Sequence, residues 1–372
     1  MERSVRANHL GVAVLAVYLA ISCAVRAEEG SPPDSLQLKR NSLVALPYAY
    51  YTPETKFAFG AGGVYSFRRA GAALSDRPSS VRIAVTYTQL NQIILALQPE
   101  IYLKNGQYYF SAFYGYYGYP SKFWGIGSAT PDGAEEKFEQ NDFESSTDLQ
   151  REIIPGLLVG LRYQYQRIEV KEAAPDGVLR DRTVPGSRGG IASGFGVLVS
   201  HDTRDHVYQP STGFFNRFSA VSFGKAIGSD YEFTLLNVDM RRYFSLFGSH
   251  VLALQTYDGF IIGDPPFQMM NLLGGSYSMR GYYRGRYRDK NMMTFQAEYR
   301  FPLYWRLGAA GFVGLGDVSE DIRDFRLDEF KFSLGFGLRF MFDAQERINA
   351  RLDVGFGKGD NAGIYAMVLE AF

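Results

Sequence analysis

Two groups of side chains in this sequence have the types and spacing for chemistry. His201, Asp202, Asp205 and His206 fall within one short stretch, and imidazoles beside carboxylates could hold a metal ion or exchange protons. The second group is cationic. Arg280, Arg284, Arg286 and Arg288 lie in LLGGSYSMRGYYRGRYRDKN, Leu272 to Asn291, where the glycines permit tight turns. A guanidinium withdrawn from water needs carboxylate company, whereas a solvated one only keeps a loop soluble. The first group has no partner cluster elsewhere in the chain. The sequence also lacks a G-x-S-x-G nucleophile elbow, a P-loop, an H-E-x-x-H pair and an EF-hand loop. The reading is of a protein that is not an enzyme and takes no cofactor and no metal.

What positions these side chains is a period of two. From about Val44 to Phe372, apolar and polar residues alternate in run after run. Met293, Phe295, Ala297, Tyr299 and Phe301 share one face, and Thr294, Gln296, Glu298 and Arg300 the other. Phe332, Leu334, Phe336, Leu338 and Phe340 alternate with Ser333, Gly335, Gly337 and Arg339. Leu157 to Gln166 and Ile348 to Val354 repeat the pattern. A soluble sandwich alternates too, with its apolar face inward. A membrane barrel needs an apolar outer face on every strand and closes every edge, and so many long strands suit it better. Counting runs between turn signals gives about sixteen strands, an even number of the kind transmembrane barrels use. The predicted fold is an all-β, antiparallel transmembrane barrel over residues 43–372, with no second domain.

Composition and address agree with that fold. The chain has 372 residues, among them 26 Tyr, 29 Phe and 40 Gly, and its 39 Lys and Arg balance 39 Asp and Glu. Zero net charge disfavours a nucleic-acid partner. Clusters such as Tyr108-Tyr109-Phe110 and Tyr116-Tyr117 suit the interfacial girdles of a barrel. Arg3 and Arg6 precede the apolar run Leu10 to Ala24, and Val25-Arg26-Ala27 offers a cleavage site, so residues 1–27 read as a secretory signal peptide. The run is shorter than the roughly 20 residues of a membrane anchor. Lipidation at Cys23, the single cysteine, is the alternative processing. Residues 28–42 form a short polar linker. With the N-terminus in the periplasm, the long connections Gly118 to Phe143, Lys171 to Gly189, Ile262 to Asn291 and Val318 to Glu329 face outward.

Within the Arg-rich loop, Gly274-Gly275 followed by Met279-Arg280-Gly281-Tyr282 resembles the V/I-R-G-F/Y signature of the BamA/TamA-like outer-membrane assembly factors, the bacterial surface antigen barrels. Glu298-Tyr299-Arg300-Phe301-Pro302 resembles the E-x-R-x-P pattern of the following strand in that family. Asp202-Thr203-Arg204-Asp205, Pro210 and Gly213 resemble the turn before its ninth strand, which accounts for the acids of the first cluster. The resemblance implies a loop folded back into the lumen, with Arg280 paired to Glu298, Gly281 allowing a close turn and Tyr282 packed on the wall. One departure is Phe312-Val313-Gly314-Leu315-Gly316, with Gly where the family's F-x-D-x-G places Asp. Asp317 could substitute only if the strand bulges or ends there. Another is that residues 28–42 cannot hold a periplasmic POTRA domain, so the chain resembles members without one.

The resemblance also implies a barrel seam between the first and last strands. Pro47 cannot donate a ladder hydrogen bond. The last strand carries Ile364, Ala366, Val368 and the terminal aromatic Phe372 on its outward parity, with Glu370 breaking the pattern. These features fit a seam that opens sideways, and equally an irregular end strand held shut by its neighbours. The expected function is help with insertion or translocation of proteins or lipids at the bacterial outer membrane. Outer-membrane lipids, client outer-membrane proteins and a separate periplasmic component are the expected partners. A passive or gated channel and a surface scaffold are the alternatives.

Overall fold

The computed structural model describes residues 41–67, 79–104, 107–343 and 347–372. The expected signal peptide with Cys23, and all of the linker except residues 41 and 42, lie outside them. Eighteen strands form: β1 (Asn41–Thr52), β2 (Lys56–Phe67), β3 (Ser79–Thr88), β4 (Ile93–Leu103), β5 (Tyr108–Phe123), β6 (Glu136–Ile154), β7 (Leu157–Ala173), β8 (Gly190–Asp202), β9 (Gly213–Phe223), β10 (Phe233–Ser245), β11 (Val251–Gly263), β12 (Asn271–Leu273), β13 (Tyr287–Asp289), β14 (Asn291–Tyr304), β15 (Leu307–Ser319), β16 (Lys331–Asp343), β17 (Ile348–Phe356) and β18 (Ala362–Val368). Sixteen of them close into an antiparallel barrel in chain order, and β12 and β13 pair separately inside the intervening loop.

The alternation decides which face looks out. On β16, Phe336 is 61% exposed and Leu338 53%, whereas Ser333 and Arg339 are nearly fully buried. A soluble sandwich has the reverse arrangement, so the apolar faces are made for lipid and the polar ones for the lumen. The same parity holds on β14, where Thr294, Gln296, Glu298 and Arg300 are buried. Among the described residues no helix is long and apolar enough to cross a membrane. Crossing falls to the strands.

The two rims differ. Connections at one end are brief, such as Pro155-Gly156 between β6 and β7 and Trp305-Arg306 between β14 and β15. Those at the other include residues 124–135, 174–189, 264–290 and 320–330, which makes it the extracellular end by the usual asymmetry of such barrels. The expected first loop, Gly118 to Phe143, is shorter than the alternation suggested. β5 and β6 stay paired out to Phe123↔Glu136, so the wall projects past the apolar belt.

The closure differs from every other junction. Among the described residues β1 meets β18 at one residue pair, Tyr51↔Ala366, whereas β1 pairs with β2 over twelve. The next sparsest junctions, β11 with β14 and β17 with β18, have seven. Beyond Val368 the chain leaves the sheet. Leu369 takes a φ of +72°, and Leu369 to Phe372 turn into the lumen, each at most 6% exposed. This corrects the expected outward parity of Phe372. Its ring lies against Tyr243, Ala253 and Ala371, because Glu370 has cationic partners inside the barrel and none on a lipid-facing wall. Ile348 is likewise buried, against Leu369, rather than outward.

Candidate functional site

The segment 264–290 enters the lumen from the extracellular rim. Its base is the β12–β13 pair, with Leu272 opposite Arg288, and the Gly285 N–H donates to the Leu273 carbonyl at 2.9 Å. Above that base the chain doubles back tightly. Gly274 and Gly281 have φ of +103° and +118°, and Met279 is forced to +52°. The Tyr282 N–H donates to the Met279 carbonyl and the Gly275 N–H to the Tyr282 carbonyl. At Gly281 a side chain would also strike the backbone of Phe356, 2.6 Å from the added carbon. Only glycine satisfies both the dihedral and the contact.

The wall beneath is prepared by register. Glu298, Phe312, Gly335 and Gly355 stand in one row across β14 to β17, and Arg300, Ala310, Gly337 and Asp353 in the next. Ala310, Gly335, Gly337 and Gly355 thus stand small beside the charged side chains and leave a recess. A carbon added to Gly355 would lie 2.6 Å from the Arg280 backbone, and one added to Gly357 2.6 Å from the Tyr282 ring. The loop occupies that space.

Arg280 reaches the floor of the recess at 1% exposure. Its Nη2 donates to Glu298 Oε2 at 2.5 Å and its Nη1 to Asp353 Oδ2 at 2.6 Å. Its guanidinium lies over the Phe312 ring. Both acids are shared. Arg300 Nε donates to Glu298 Oε1 at 2.7 Å, and Arg339 Nη1 and Arg351 Nη1 each reach Asp353 at 2.5 Å. Arg339 Nε donates to Glu370 Oε2 at 2.7 Å, and Arg300 Nη2 to the main-chain oxygen of Phe372 at 2.6 Å. One ionic cluster therefore joins the loop tip, the wall and the C-terminal tail. Four guanidiniums share three carboxylates in a low-dielectric interior, so each acid is needed more than once.

The remaining loop residues are also engaged. Tyr282 is fully buried; its hydroxyl donates to the Phe332 carbonyl at 3.0 Å and accepts from the Lys358 N–H at 2.7 Å. The Gly281 N–H donates to the Tyr365 hydroxyl at 3.0 Å. Arg286 holds Asp132 and Thr130 of the β5–β6 connection, and Arg288 is buried beside Phe123 and Phe267. A merely solvated loop does not describe them. Asp317 does not substitute for the missing acid: it pairs with Lys331 at 2.6 Å and accepts from Ser128. The second carboxylate for Arg280 is Asp353, two strands further round. Strand parity had placed Asp353 inward but carried no signal that it faces Arg280, because that depends on shear around the wall. Phe312, Arg339 and Glu370 were missed in the same way.

At the seam, Pro47 is exposed on β1 opposite Ala61 of β2. Continuing the β1–β18 register places it opposite residue 370, which has left the sheet. Val368 is the last residue of β18, paired to Ala350. On β2, Gly60 leaves room for the Tyr48 ring of the neighbouring strand. In the periplasmic turn the four residues of the first cluster go separate ways. Asp202 grips Arg204 at 2.8 Å, Asp205 accepts from Ser211 and Thr212, His206 Nδ1 accepts from Tyr208 and Gln209 N–H groups, and His201 packs edge-on against Phe214.

Residues 77–364 match the family model described as the Omp85 superfamily domain. Among solved structures, BamA from Haemophilus ducreyi lacking POTRA domains 1-3 is similar at a TM-score of 0.59 and 12% identity, covering 89% of this chain and 70% of that one. CdiB from Acinetobacter baumannii is similar at a TM-score of 0.59 and 13% identity, covering 89% of this chain and 60% of that one, so this chain spans less than two thirds of its length. At these identities the likeness is one of fold. No curated protein matches the sequence.

Proposed function

The chain belongs to the Omp85 superfamily and is an outer-membrane β-barrel of that kind, and on that premise we propose that it assists the insertion or translocation of proteins, or of lipids, at the outer membrane. The observation that supports this reading is the seam. A barrel built only to enclose a pore gains stability from every ladder hydrogen bond and has no use for an unzipped junction. Among the described residues β1 meets β18 only at Tyr51↔Ala366, which leaves residues 41–48 of β1 without a ladder partner on that side, next to a last strand of seven residues. An edge of that sort pairs with another strand. The work is then mechanical: local separation of β1 from β18 lowers the barrier for a client strand or a lipid, with no covalent step. Pro47, Val368 and the tail ending at Phe372 border the opening. Arg280, Gly281, Tyr282 and Glu298 brace the wall behind it. Client outer-membrane proteins and a separate periplasmic component are the partners this reading requires.

The test is depletion of the protein followed by quantitative comparison of outer-membrane proteins and lipids, with rescue by a seam-locked variant. Loss of specific outer-membrane proteins or lipids, restored by the wild type and not by the locked barrel, is the expected outcome. Unchanged membrane composition together with stepwise conductance in planar bilayers would replace this reading with a channel.

A further inference from the structure

Arg151 stands on the outward parity of β6. Its outward neighbours along the strand are Leu149 and Ile153, and across the two ladders it faces Tyr108 of β5 and Val159 of β7. Leu149, Ile153 and Val159 are all exposed, so the guanidinium lies within the apolar surface rather than beyond it. It sits over the Tyr108 ring, 5.7 Å from the centroid. A second cation shares that ring: Lys104 Nζ, from the brief β4–β5 connection at the periplasmic end, lies 5.4 Å from the same centroid. Both cations have this ring and, among the described residues, no carboxylate partner. The inward face of the same strand is arranged differently, since Asp148 there holds both Arg162 and Arg217.

A guanidinium among lipid-facing side chains is costly, and two like charges on one ring repel. Cation–π attraction offsets only part of that. The wall thus offers positive charge to an anion, and the apolar side chains around it select one that is itself held in the membrane. We propose that Lys104, Tyr108 and Arg151 bind the headgroup of an anionic glycerophospholipid in the periplasmic leaflet. The planar fork of Arg151 suits two phosphate oxygens at once, and Lys104 adds a compact second charge. The acyl chains follow Phe110, Leu149 and Val159, which continue the same outward face. A zwitterionic headgroup brings its own ammonium towards two cations and is disfavoured. This inference uses the place of the barrel in the outer membrane but not the opening of its seam, so the two tests fail independently.

The experiment is native mass spectrometry of the purified barrel in detergent, titrated with dioleoylphosphatidylglycerol and, separately, with dioleoylphosphatidylcholine. Saturable and tighter binding of the phosphatidylglycerol is expected, weakened about fivefold in Arg151→Gln and about thirtyfold in Lys104→Gln/Arg151→Gln. Excess sodium phosphate should not displace the lipid. Val159→Glu, which sets a carboxylate opposite Arg151, should weaken binding as Arg151→Gln does. Heat-modifiable electrophoretic mobility checks that each variant is folded. If the charge-removal variants do not fold, the Val159→Glu arm decides. Equal affinity for the two lipids, unchanged phosphatidylglycerol binding by a folded variant, or displacement by inorganic phosphate would each overturn the proposal.

Discussion

The guanidinium of Arg280 lies over the ring of Phe312, 3.5 Å from its centroid. Phe312 can stand there because Gly335 beside it leaves the room. The contact supplies a π face to a cation whose in-plane donors are taken by Glu298 and Asp353. An aromatic in a barrel lumen is thus part of the seat for the loop.

Loss of either acid releases the loop tip. Glu298→Ala leaves Arg280 and Arg300 buried beside one fewer carboxylate, a cost of about 3–5 kcal/mol. Limited proteolysis should cut the 274–285 segment faster than in the wild type, and single-channel conductance should rise. Unchanged cleavage and conductance would show that the pair does not hold the loop.

Gly355→Ala tests the same docking without touching charge. The added methyl meets the Arg280 backbone at 2.6 Å, where nothing flexible can yield, so overpacking of about 1–3 kcal/mol is expected. Protease sensitivity of the loop should resemble that of Glu298→Ala while the strands stay intact. A wild-type cleavage pattern would mean that the recess is wider than it is here.

Tyr51 and Ala366 are direct partners across the seam, at a separation that suits a disulfide. The double variant Tyr51→Cys/Ala366→Cys should oxidise to a locked barrel that folds normally yet fails to rescue depletion, with rescue returning on reduction. Rescue by the oxidised form would count against lateral opening.

Phe372→Ala should lower the unfolding temperature read by heat-modifiable mobility, since truncating a buried Phe costs about 3–5 kcal/mol. A Phe372 facing lipid would give a far smaller change.

Asp205 supplies a pH dependence at the periplasmic turn. Burial pushes its carboxyl up, but the Ser211 hydroxyl, the Thr212 and Ser211 N–H groups and Arg347 outweigh that and hold it below the usual range. A depressed carboxyl stabilises the fold above its unfolded value, about 3.9, and loses that contribution as pH falls through the folded value. Hydrogen exchange at Ser211 and Thr212, corrected for intrinsic rate, should accelerate only below about pH 4. In Asp205→Asn the turn should be loose at all pH values.

Parity carried much of this molecule. Because side chains alternate strictly along a strand, Glu298, Arg300 and Arg351 could be placed in the lumen and Phe336 or Leu352 in lipid from spacing alone. The loop signature pointed to Arg280 before any fold was known. Parity fails where a strand stops being a strand. Phe372 was assigned outward by counting from Ile364, but the count has meaning only while the backbone stays extended, and Leu369 at φ +72° ends it.

The sequence by itself determined the alternation, the strand number and the identity of the loop, since these depend on local order along the chain. Only the tertiary structure decided that Asp353 takes the place of the absent acid, that Glu370 binds Arg339, and that, among the described residues, β1 meets β18 at Tyr51↔Ala366 alone. Each joins residues far apart in sequence or across several strands. What brings them together is the register and shear of the closed barrel, which no local pattern encodes.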